Sequence, residues 1–157
     1  MNFGLEIVPY SEAALRVFIA CVIGFILGFD RAQKAKPMGY RTYIIVAVTT
    51  CLLAIMGQEI YADYSDVKEV LRIDLGKIIS GVVTGIGFLG AGAIIRDDKN
   101  QIIGSATGAS IWASGGIGLM LGFGFYSLAV IGFMTIFFVL AYLHRIVDKV
   151  TGNKSAP

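Results

Sequence analysis

Apolar residues run through this chain in long blocks, and the charges gather between the blocks. A helix needs about 20 mainly apolar residues to cross the hydrocarbon of a bilayer. Residues 13–29 form the first such block; its single charge, Arg16, lies near one end, where a long side chain can snorkel to the headgroups. The second, residues 42–58, is bounded by Arg41 and Glu59, and the third, residues 78–95, by Lys77 and Arg96. From Asn100 to Leu143 no charge occurs at all. That run is too long for one crossing at about 1.5 Å per residue. The stretch "GLMLGFGFYS", Gly118 to Ser127, supplies the break, because each glycine weakens a helix interior by up to about 1 kcal/mol. The pattern therefore predicts five crossings, at 13–29, 42–58, 78–95, 105–121 and 126–143, in an all-α polytopic membrane bundle forming one domain.

Charge sets the orientation, since Lys and Arg collect on the cytoplasmic side. One set of connecting segments holds Arg31, Lys34, Lys36, Arg41, Arg96, Lys99, Arg145, Lys149 and Lys154. The other holds Arg16, Lys68, Arg72 and Lys77 with most of the acids. The N-terminus is thus expected outside and the tail 145–157 in the cytoplasm, with "DVKEVLRIDLGK" (Asp66 to Lys77) as a short outer surface helix. The first block is not read as a signal peptide, because Glu6 and Glu12 stand where a basic region belongs. Composition agrees with lipid as the solvent: 56% of the 157 residues are hydrophobic and 15% charged, against about 25% charged in soluble domains. A net charge of +2, without basic–aromatic clusters, argues against nucleic acid as a partner. Cys21 and Cys51 lie far apart in apolar runs, with no metal or disulfide spacing.

The third block carries "GIGFLG", Gly85 to Gly90, the glycine spacing of a dinucleotide-binding loop. That motif needs a strand before it, a helix after it and an acid about 20 residues on. None is present, so no cofactor is expected. In bilayers, helices associate by close packing of small side chains. Ser80, Thr84, Gly87 and Ala91 form one line of small residues and Gly81, Gly85 and Gly92 the adjacent one; the fourth block repeats the device with Gly104, Gly108, Gly115, Gly118 and Gly122. Blocks three and four, joined by the short loop "RDDKNQ", are expected to pack as a tight antiparallel hairpin. The alternative is that "GFLGAGA" is a broken helix lining a transport site. The centres of spans two to five hold hydroxyls such as Thr50, Thr84, Thr107, Ser110 and Ser114 and no ionisable group, which disfavours coupled carriage.

The informative charges sit at the edges. Asp30 ends the first span among Arg31, Lys34 and Arg41, with Arg41 the expected partner, since a lone carboxylate at a helix C-terminus opposes the dipole. Asp97 and Asp98, with Asp30, are the candidates for water-mediated Mg²⁺ contacts. Asp74 and Lys77 suit an i,i+3 pair, and His144 suits the C-terminal end of span five. No nucleophile, base and orienting group can be assembled, so no enzymatic activity is expected.

Three stretches together resemble the MgtC/SapB family of bacterial inner-membrane proteins, over about Leu15 to Leu140. "GFDRAQKAKPMGYRT" is similar to the family's Gly-x-Glu-Arg…Lys-Pro-x-Gly-x-Arg-Thr turn, with Asp30 in the acidic slot followed by Arg31, Pro37, Gly39, Arg41 and Thr42. "DLGKIISGVVTGIGFLGAGAIIR" resembles the central signature through Asp74, Lys77, Gly85, Gly87, Phe88, Gly90 and Gly92. "GSATGASIWASGGIGLMLGFG" resembles a third block through Gly104 and Trp112. Lys77 stands where the family usually has Arg, and a lysine cannot reproduce a bidentate guanidinium contact. Gly81 replaces a usual Gln, Ile103 a usual basic residue, and Ser105-Ala106 the usual Leu-Thr. A soluble C-terminal domain, carried by many members, is not expected here. The resemblance implies location in the bacterial inner membrane and a link to growth at low Mg²⁺ or, in pathogens, to survival within host cells. Mg²⁺ enters as ligand or effector rather than cofactor. Three readings follow. The first is a non-enzymatic protein acting by helix association, with itself or with a partner such as an ATP synthase or a transporter. The second is a small oligomeric channel or carrier for Mg²⁺ or another ion. The third is a sensor whose cytoplasmic turn, with Asp30, Arg41 and Asp97, responds to Mg²⁺.

Overall fold

The computed structural model describes residues 5–33, 38–63, 74–96 and 100–143. The expected bundle is what these residues form. Five α-helices stand among them: α1 (Tyr10–Gln33), α2 (Tyr40–Asp63), α3 (Leu75–Gly92), α4 (Ser105–Gly122) and α5 (Tyr126–Phe138). All follow the apolar blocks, with α1 and α2 longer than the blocks at both ends. Asp74 starts α3 by accepting the Gly76 N–H at 2.9 Å, one of the donors a helix N-terminus leaves unpaired. At the end of α4, Gly124 (φ +81°) adopts the left-handed conformation, and the Phe125 N–H reaches back to the Met120 carbonyl at 2.8 Å. This glycine turn separates α4 from α5 where the sequence places the break.

Three local details differ from expectation. α3 ends at Gly92 rather than 95, because Ile95–Arg96 pairs antiparallel with Ile102–Ile103 as strands β1 and β2. The link between spans three and four is therefore flanked by a short β-ladder, which suits its β-branched residues. α5 turns into a π-helix at Val139–Leu143. Of the outer segment read as a surface helix, residues 66–73 lie outside the described residues, and its last residues, Leu75 to Lys77, open α3.

α4 is the hub, packed against α1, α2, α3 and α5. Four segments are long and apolar enough to cross a membrane: Tyr10–Gln33, Tyr40–Ala62, Leu75–Gly92 and Tyr126–Leu143. α4 is not among them, and its position explains why. A helix walled in by protein faces little lipid, so glycines and hydroxyls can replace bulky apolar residues. Gly118 and Gly122 press on the α2 backbone at Ala47 and Cys51, and Gly115 on Ile86 of α3. α5, at the edge, turns Leu128, Val130, Ile131, Met134 and Phe138 outward.

The expected hairpin of two smooth faces is corrected in its geometry. α3 meets α4 closely at one crossing, where a Cβ on Gly90 would lie 2.9 Å from the Gly108 carbonyl oxygen. The rest of the α4 glycine face turns to α2, apart from Gly115 under Ile86. Gly81, Gly85, Gly87 and Gly92 of α3 have no described atom within 4 Å of where a Cβ would stand. α3 packs inward with Ile86, Gly90 and the Ala93 that follows it, and directs its other glycines away from the bundle.

Candidate functional site

The basic end of the bundle brings polar groups from four helices together. Gly28 lets α2 approach until a Cβ there would lie 2.5 Å from the Tyr40 Cα; Gly24, one turn earlier, faces the Tyr43 carbonyl oxygen in the same way, at 2.8 Å. This close approach buries Tyr43 completely. Its hydroxyl lies 2.7 Å from Ser110 Oγ, and Ser110 donates to the Thr107 carbonyl at 2.9 Å. Ser114 Oγ donates to the Tyr43 carbonyl at 3.1 Å. The hydroxyls of α4 thus lock α2 to α4 through bonds that leave no buried side-chain polar atom unsatisfied among the described residues.

Arg31 lies beside this network and is only 4% exposed. Its guanidinium donates to Asp30 at 2.8 Å and to the Leu140 carbonyl, in the π-helical end of α5, at 3.1 Å. Arg31 therefore ties α1 to α5 while meeting a carboxylate. This corrects the pairing expected for Asp30: the ion pair forms with Arg31, and Arg41 is exposed near the start of α2. Adjacency in sequence wins because Arg31 already points inward, whereas Arg41 faces outward. Gly39 has open space around it, and Thr42 Oγ1 lies 4.0 Å from Met38 Sδ. Pro37, Asp97, Asp98 and His144 lie outside the described residues.

Gly104 closes the same end. It holds φ +89° just before α4, and a Cβ there would overlap the Ala93 carbonyl oxygen. Beside it, Arg96 Nη1 donates to Asn100 Oδ1 at 2.6 Å. Trp112 is half exposed on the side of α4 away from the α2 contact, and Phe88 is 81% exposed on α3.

The opposite end carries a second polar cluster that the sequence does not announce. Arg16 does not snorkel outward as expected; it is 7% exposed and donates to the Gly122 carbonyl at 2.6 Å. It also pairs with Glu12 and lies 3.2 Å from the Tyr126 hydroxyl. The carbonyl at the end of α4 is an unpaired acceptor that attracts donors, and Gln58 Nε2 reaches it too, at 2.6 Å. Glu59, buried at the end of α2, accepts the N–H groups of Glu6, Ile7 and Val8 at 2.7 to 3.2 Å and so fastens the segment before α1. Lys77 forms no ion pair with Asp74, whose carboxylate caps α3 instead. Because Arg16 and Gln58 share one acceptor, Arg16→Met or Gln58→Leu alone leaves it satisfied. The double variant is expected to lose about 1–3 kcal/mol beyond the sum of the singles, the cost of an orphaned buried carbonyl. Strict additivity in detergent melts contradicts the shared-acceptor geometry.

Among the described residues no three His, Cys, Asp or Glu side chains gather to hold a metal ion. The arrangement is chemically one of fasteners: carbonyls, hydroxyls and guanidinium groups that pair helices. Among the described residues, the outer face of α3 is lined by small residues that these fasteners leave uncovered.

Comparison with known proteins places these features in a group. The family model described as "MgtC family" matches residues 17–149. An uncharacterised protein of Haemophilus influenzae is 43% identical over 74% of this chain and 49% of its own length. Protein SapB of Bacillus subtilis is 36% identical over 88% of this chain and 60% of its own. The Escherichia coli protein named "Putative magnesium transporter YhiD" is 32% identical over 87% of this chain and 62% of its own. The chain thus spans about half to three fifths of the length of these relatives. No solved structure matches it significantly.

Proposed function

This chain belongs to the MgtC family, and from that premise we propose that it acts, without enzymatic chemistry, by helix–helix association through the outer face of α3. It does so in the bacterial inner membrane, with its basic end toward the cytoplasm, in adaptation to low Mg²⁺ and, in pathogens, to life within host cells. The supporting observation is the open space over Gly81, Gly85, Gly87 and Gly92. In lipid, helix contacts are made by small residues that admit another backbone. A face built only to meet acyl chains looks like that of α5, with leucine, isoleucine, methionine and phenylalanine outward. Glycines and hydroxyls on a lipid-facing surface are wasted unless another helix covers them.

Gly85→Leu tests this reading. The position is open, so the variant is expected to accumulate in the membrane at the normal level while growth at limiting Mg²⁺ drops to that of the deletion strain. Ile131→Ala on the outer face of α5 should leave both unchanged. Wild-type growth by a normally accumulating Gly85→Leu variant overturns the proposal.

A second reading, ion transport, draws on the magnesium-transporter name of the Escherichia coli relative. Liposomes distinguish the two. Mg²⁺ flux above that of a Gly87→Leu control supports transport, and flux equal to the control supports association.

A further inference from the structure

We infer that the surface covering α3 is α3 of a second copy of this chain, in a parallel pair about a two-fold axis along the bundle. The inference rests on the association reading above and specifies its partner. The outer face of α3 is more than a smooth stripe. Phe88 projects from its middle, and its neighbours on the same face, one turn to either side, are Gly85 and Gly92. When two helices run parallel, a side chain at a d-type position of the seam enters the hole formed by the residues three before, level with, one after and four after it on the partner. For Phe88 that hole is bounded by Gly85, Phe88, Leu89 and Gly92 of the second copy. Two of its four walls have no side chain, so it is wide enough for an aromatic ring. Knob and hole thus belong to the same surface, which is what an isologous interface requires.

About three turns earlier the edges of this face bring charges together. Lys77 lies on this face and makes no ion pair among the described residues. Asp74, on the opposite edge of the face, is exposed and accepts the Gly76 N–H through Oδ1 alone among the described hydrogen bonds, and a two-fold axis along the face sets that edge beside Lys77 of the second copy. Lysine of each copy therefore faces the carboxylate of the other, twice by symmetry. A parallel arrangement also follows from insertion, because every copy enters the membrane with its basic end on the same side. An unrelated partner would need the glycine hollow alone; only a second copy uses hollow, knob and both charges.

Disulfide cross-linking in native membranes tests the pair. In a background with Cys21→Ser and Cys51→Ala, Phe88→Cys and Gly85→Cys are expected to give covalent dimers under mild oxidation, whereas Ile131→Cys on α5 gives none. Adding Gly85→Leu to the Phe88→Cys chain should lower the dimer about tenfold, a change of one decade in association constant. Equal cross-linking at 88 and 131, or no dimer at 85 and 88, overturns the two-fold pair. If dimers are absent while Gly85→Leu still abolishes growth at limiting Mg²⁺, the association reading stands and its partner is another protein. If both dimer and growth are indifferent to Gly85→Leu, both readings fall.

Discussion

Gly104→Ala is expected to strip the protein from the membrane fraction. The glycine holds φ +89° immediately before α4, a conformation that costs an L-residue about 1–2 kcal/mol. Strain is the smaller part. A methyl group there would overlap the carbonyl oxygen of Ala93, which belongs to the backbone and cannot swing aside as a side chain does. Forcing an extra carbon into a packed site adds about 1–3 kcal/mol. The clash falls at the base of the α3–α4 hairpin, beside the crossing of Gly90 and Gly108, so relief requires α3 to separate from the hub helix. Membrane abundance and detergent melting should both fall sharply, by far more than for Gly39→Ala, where the structure shows open space. Equal abundance of the two variants contradicts this account of Gly104.

The second large effect is expected at Arg31. Replacement by methionine removes a buried guanidinium that serves the Asp30 carboxylate and the Leu140 carbonyl together. Removing one partner of a buried ion pair costs up to about 3–5 kcal/mol, and here it also takes the guanidinium donor away from the Leu140 carbonyl. Arg31→Lys should recover only part of this, since an ammonium cannot extend two donors in a fixed plane. The double variant Asp30→Asn, Arg31→Met should lose less stability than the sum of the two single variants, as each of them already breaks the same ion pair. Detergent melts of the parent, Asp30→Asn, Arg31→Met and the double variant give the coupling directly. If Arg31→Met melts with the parent, the guanidinium is not what ties α1 to the end of α5.

How far these features were legible follows from the physics of each. The five helices were written in the apolar blocks, four of them long and apolar enough to cross a bilayer, because a bilayer imposes a length on the segments that cross it. The break between α4 and α5 was visible in Gly122 and Gly124 for the same local reason. Which smooth face meets which helix was not visible: α3 and α4 both carry small residues on several sides, and only the tertiary arrangement turns Gly118 and Gly122 toward α2 and leaves Gly81 and Gly85 outside. One missed signal lay in plain view: Gly24 and Gly28, four residues apart in the first block, bring α1 against α2. Arg16 and Glu59 were legible as edge charges but not as fasteners. Their acceptor and donors, the Gly122 carbonyl and the amides of residues 6–8, are backbone groups that any sequence possesses. Asp30 found its partner next door because side-chain direction on the helix, invisible to charge counting, sent Arg31 inward and Arg41 out.

The claim on which the rest depends is that α3 keeps Gly90 inward and Gly85 outward. Melting curves of Gly90→Leu and Gly85→Leu, measured on dilute monomer in detergent, test it most directly. Gly90→Leu drives a side chain toward the Gly108 carbonyl and should melt well below the parent, by about 1–3 kcal/mol of stability, while Gly85→Leu should melt with it. A lower melting point for Gly85→Leu, with Gly90→Leu unchanged, would put the glycine face inside the bundle and contradict the account.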